Sequence, residues 1–106
     1  MKEEKMINKE RTKSLRVVFP QLYQSILAEL EKINIHSYDM QINAEKQKGG
    51  VQLILQFGEN FTHQKAQFFT YEAIENNSTE VTEFVRITGE ACKEVMINEY
   101  FKKMRP

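Results

Sequence analysis

The sequence predicts an α+β two-layer domain: a helix, a four-stranded antiparallel meander and a second helix, with both helices on one face of the sheet. Three observations predict it. Tyr38, Met40, Ile42 and Ala44 alternate with polar residues, and after Lys46-Gln47-Lys48-Gly49-Gly50 the alternation resumes at Val51, Leu53, Leu55 and Phe57. That is the period-two signature of a hairpin with one apolar face. Phe19, Leu22, Tyr23, Ile26, Leu27, Leu30 and Ile33 recur at spacings of three and four, the pattern of an amphipathic helix. A further helical pattern runs from Glu90 to Met104, with Glu90 and Glu94 early and Lys102, Lys103 and Arg105 late, a charge order that suits the helix dipole.

The elements follow in order. Residues 1–13 are charge-rich and weakly patterned, and are expected to be a mobile or frayed basic arm, with residues 14–106 as a single domain. Ser14 is a candidate cap, and Pro20 suits the first turn of a helix, where its missing N–H would be unpaired anyway. If the residues before Pro20 are helical, a kink belongs there. The hairpin occupies 37–57, with positive φ expected at Gly49-Gly50, and Gly58-Glu59-Asn60 turns the chain again. The stretch Ala66 to Ile74 reads as a third strand, with Phe68 and the adjacent Phe69 on opposite faces unless a bulge intervenes. Glu75-Asn76-Asn77-Ser78 is a turn cluster. Thr79 to Thr88 fits two templates: Val81, Phe84, Val85 and Thr88 have helical spacing, yet the segment is rich in β-branched residues. A fourth strand is the expected assignment. The alternative is a helix, three strands and one long helix carrying Gly89 in its middle, at a cost of about 1 kcal/mol against Ala.

Composition narrows the function. Lys plus Arg and Asp plus Glu number 15 each, so no net field draws the chain to nucleic acid or anionic lipid. No apolar run is long enough to cross a bilayer, and the N-terminus lacks the apolar core of a secretory signal, so no membrane partner and a cytoplasmic location are expected. A single cysteine, Cys92, rules out an internal disulfide framework. It lies on an apolar stripe between Ala91 and Val95, the place of a small core residue. His36 and His63 stand far apart, in no paired-ligand spacing, so a zinc site with Cys92 is set aside and no cofactor is expected.

Other chemistries lack their residues. Asp39 and Glu45 are too far apart along a strand to act as a carboxylate pair. Glu45-Lys46-Gln47 has glutamine where a nuclease Glu-x-Lys motif needs lysine. Gly49-Gly50 sits between strands, not at the helix N-terminus that a phosphate loop requires. Double-stranded RNA-binding domains share the order of helix, three strands and helix, but they want bases at the start of the last helix. Here stand Glu80 and Glu83, or Glu90 and Glu94.

Two apolar surpluses remain. On the outward sheet face Ile54, Phe68 and Phe84 would form an island, and Ile97, Tyr100, Phe101 and Met104 form a second stripe on the last helix. The expected function is therefore non-catalytic protein association or regulation, with the chain itself (a homodimer) or another protein as partner. The alternative is nucleic-acid contact through the arm bases Lys2, Lys5, Lys9, Arg11, Lys13 and Arg16.

Overall fold

The computed structural model describes residues 12–104, the last two through their backbone alone. The chain runs β1 (Thr12–Ser14), α1 (Leu15–Val18), α2 (Pro20–Glu31), β2 (Met40–Gln47), β3 (Gly50–Phe57), β4 (His63–Thr70), α3 (Tyr71–Glu75) and α4 (Thr79–Met104). The four strands form one antiparallel sheet in the order β1-β2-β3-β4. Helices lie against one face of it, an α+β two-layer arrangement.

The hairpin is where its alternation puts it from Met40 onward, but residues 37–39 are a turn outside β2 and Tyr38, expected on the apolar face, is exposed. Met40 pairs with Phe57, Ile42 with Leu55 and Ala44 with Leu53, and all six are buried on the helix-facing side. Gln47 faces Gly50 across a two-residue turn in which Gly49 alone has positive φ, +84°. Gly50 serves a different need. A β-carbon there would collide with the Phe69 carbonyl oxygen and the Phe68 ring, which lies across the glycine. Phe68 and Phe69 do take opposite faces, with no bulge: Val51 pairs with Phe69 and Gln52 with Phe68 in unbroken register. The strand ends at Thr70, whose hydroxyl accepts the Ala73 N–H at 3.1 Å and caps α3. Tyr71 thus belongs to a helix and not to the sheet, and its hydroxyl donates to the Gln47 carbonyl.

Pro20 stands at the first turn of α2, and the expected break precedes it: α1 and α2 are separated at Phe19, with φ −136° and ψ 75°. Ser14 precedes α1 but makes no side-chain capping bond.

Thr79 to Thr88 is helix, not strand, and opens the 26-residue α4. Strand propensity loses to burial. Val81, Val85, Thr88 and Cys92 stand at intervals of four, three and four, and all four are buried; as a strand the segment would bury only alternate residues. The fourth strand is instead Thr12–Ser14, at the other edge against β2. Gly89 permits the helix layer to close, because a β-carbon there would stand 2.9 Å from methyl groups of both Leu30 and Ile33.

Candidate protein-association surface

The geometry of α4 governs what the molecule exposes. It runs antiparallel to β4: the Phe84 ring packs on Phe69 near one end, centroids 5.6 Å apart, and Glu99 meets the β3–β4 connection near the other, accepting the Glu59 N–H at 2.9 Å. A 26-residue helix is about 39 Å long, whereas an eight-residue strand spans about 27 Å. Glu99 therefore stands level with the end of the sheet, and the residues after it project beyond it. On this overhang Tyr100 and Phe101 are 59% and 62% exposed, with Ile97 one turn earlier at 50%. The two rings meet edge to face at 5.7 Å. The opposite side of the same turns carries buried Cys92, half-buried Val95 and Met96, and Glu99, so this segment is apolar on two sides.

The other residues singled out from the sequence fall elsewhere. Ile54 faces away from the helices, between Asn43 and Ala66, but is buried and offers no surface. Phe68 is half exposed over Gly50. Phe84, reassigned from strand to helix, turns into the core against Phe69. The Met104 side chain lies outside the described residues, as do Lys2, Lys5, Lys9 and Arg11. Lys13 on β1 and Arg16 on α1 are exposed.

No protein-family model, curated protein or solved structure matches the chain. Its chemistry is read from its own residues.

The His36 ring is exposed and stacked on Tyr38, and the His36 backbone N–H donates to the Asp39 carboxylate at 2.9 Å. His63 stacks on Phe57. Cys92 is wholly buried, its Sγ 3.6 Å from the Met96 sulfur, and its thiol pKa is pushed up to about 11, chiefly by burial and then by the carboxylates of Asp39 and Glu99. It is held as a neutral thiol, poorly suited to nucleophilic or metal chemistry. Among the described residues no three of His, Cys, Asp and Glu are grouped to hold a metal, and no helix is long and apolar enough to cross a membrane. On α4, Arg86 pairs with both Glu83 and Glu90, which raises the guanidinium pKa further. These are exposed pairs along one helix face, of little energetic weight.

A cleft of about 430 Å³ opens at the α1–α2 break, lined by Phe19, Pro20, Leu22, Ile74 and Glu75. Among the described residues Glu75 is the lone ionisable group on its walls, so they bring no convergent set for acid–base work. Sequence reasoning passed over it because its walls come from helices distant in the chain.

Proposed function

We propose that this is a non-catalytic association module of the cytoplasm, and that it holds a protein partner on the distal face of α4. The observation that carries the reading is the exposure of Ile97, Tyr100 and Phe101 together on a helix that outruns its own sheet. Three large apolar side chains in adjacent turns cost solvation for nothing if the surface stays bare. Tyrosine and phenylalanine bring large contact area at little rotamer entropy, which is why aromatic residues dominate binding hot spots. Lys93 and Glu94 stand one turn before Ile97 on the same side of α4, so the matching partner surface is apolar with a rim of mixed charge.

The test is affinity capture from extract of the source cells, comparing wild type with the double variant Tyr100→Glu/Phe101→Glu. Both positions are on the overhang, so the variant keeps its helical circular dichroism and melting temperature. The reading expects a retained protein that the variant loses. Identical retained proteins on both baits would refute it.

A further inference from the structure

β4 is a complete, regular strand, and among the described residues no strand pairs with its outer edge. Which backbone groups it offers follows from the hairpin. Gln47 and Gly50 close a two-residue turn and so form a hydrogen-bonded pair; alternation then directs Val51, Leu53 and Leu55 toward β4. Their partners Phe69, Gln67 and Lys65 spend their N–H and C=O groups on β3. Gln64, Ala66 and Phe68 point theirs outward.

The helix layer also stops short of this edge. His63, Lys65 and Gln67 face the helices yet are exposed. Above them Ile87 of α4 is 50% exposed over an open groove of about 540 Å³, bordered by Lys65, Gln67, Glu80, Glu83 and Ile87. Natural edges are commonly blunted by proline, bulges or a covering element. β4 has no proline and no bulge, and Lys65 is its one charge apart from the titratable His63.

We propose that β4 is a homodimer seam, in which two copies pair their β4 strands antiparallel about a two-fold axis through Ala66 and join their sheets into one. Self-complementarity selects a second copy. An antiparallel pair places directly opposed residues on the same face, so the outward-pointing Ala66 meets its own copy and Gln64 meets Phe68 of the other chain, each as a hydrogen-bonded pair. On the helix side Lys65 faces Gln67, so no like charges oppose each other and each lysine keeps Glu80 and Glu83 across its own groove. The smallest side chain of the strand lies on the axis. Zero net charge means that two copies meet without long-range repulsion. The two grooves then face each other across the seam and both Ile87 side chains lose solvent. The seam is separate from the distal α4 face, and either surface can be removed without the other.

Ala66→Pro tests it. Proline at 66 removes an N–H that β3 does not use, so the protomer's own sheet keeps its bonds while the seam loses a donor pair at its axis. Light scattering over a concentration series should show wild type as a dimer, Ala66→Pro as a monomer with unchanged circular dichroism, and Phe101→Glu still as a dimer. Ala66→Cys is the second arm: with Cys92 buried it adds the accessible thiol among the described residues, and mild oxidation should link two chains at residue 66, with exposed Lys48→Cys as the collisional control. A wild type that stays monomeric would overturn the proposal. So would a dimer that Phe101→Glu disperses and Ala66→Pro leaves intact, or an Ala66→Cys protein that cross-links no faster than the control.

Discussion

Gly89 in the middle of α4 packs directly beneath Leu30 at the end of α2, so close that a β-carbon would stand 2.9 Å from the leucine Cδ2. The glycine costs about 1 kcal/mol of helix propensity, and overpacking a filled site costs about 1–3 kcal/mol. For Gly89→Ala the two nearly cancel, since the crowded atoms are methyl ends that can move. Gly89→Leu has no such escape and should destabilise by about 2 kcal/mol or more in urea denaturation. A Gly89→Leu protein as stable as Gly89→Ala would mean that the helices do not meet there.

Gly49 and Gly50 make a second contrast. Gly49 has φ +84° but open space around its Cα; Gly50 has ordinary φ but backbone oxygen and the Phe68 ring where its side chain would go. Gly49→Ala should cost about 1 kcal/mol of conformational strain. Gly50→Ala should cost more, about 2–3 kcal/mol, because a carbonyl in a paired strand cannot step aside. Thermal melts of the two variants check the order, and a milder Gly50→Ala would contradict the register of β3 and β4.

Cys92 gives stability a pH dependence in the alkaline range. Its folded pKa is raised from 9.0 to about 11, so the folded chain binds the thiol proton more tightly than the unfolded chain does. The contribution is complete below about pH 9 and is lost as pH rises through about 11, a fall of ~3 kcal/mol across the window. Lysines and tyrosines titrate there too, so the readout is the difference between wild type and Cys92→Ala in urea denaturation at pH 8 to 11. That difference should shrink toward high pH; a constant difference would contradict the buried, neutral thiol.

Thr88 buries a hydroxyl whose oxygen has no hydrogen-bond partner among the described residues. Thr88→Val keeps the shape and deletes the orphaned group, so it should be neutral or stabilising by about 1 kcal/mol. A loss of 1 kcal/mol or more would show that the hydroxyl is bonded in solution.

How much was legible in the sequence depended on whether burial was one-sided. The hairpin was readable because β2 and β3 bury one face with strict alternation, and the opposed Phe68 and Phe69 followed from the same rule. Pro20 announced the break at Phe19 through its missing N–H. The helical start of α4 was masked because β-branched Val81, Val85 and Thr88 favour strands in isolation, and only the α2 and sheet surfaces they pack against reward the helix. β1 was invisible: Thr12, Lys13 and Ser14 carry no apolar pattern, and β2 alone defines them as a strand. Of the candidate surface, Ile97, Tyr100 and Phe101 were legible as a second stripe offset from Cys92 and Val95. The overhang that exposes them was not, because it depends on where the sheet ends relative to Glu99. The free edge of β4 was equally hidden, since strand order is a tertiary fact.

Photo-crosslinking in the source cells, with a benzophenone amino acid in place of Phe101 and, as control, in place of exposed Lys48, reads out directly what the distal face of α4 touches. A partner held on this face gives a discrete cross-linked protein adduct from position 101 and none from 48. Position 101 yielding no adduct, or the same adducts as position 48, would contradict it.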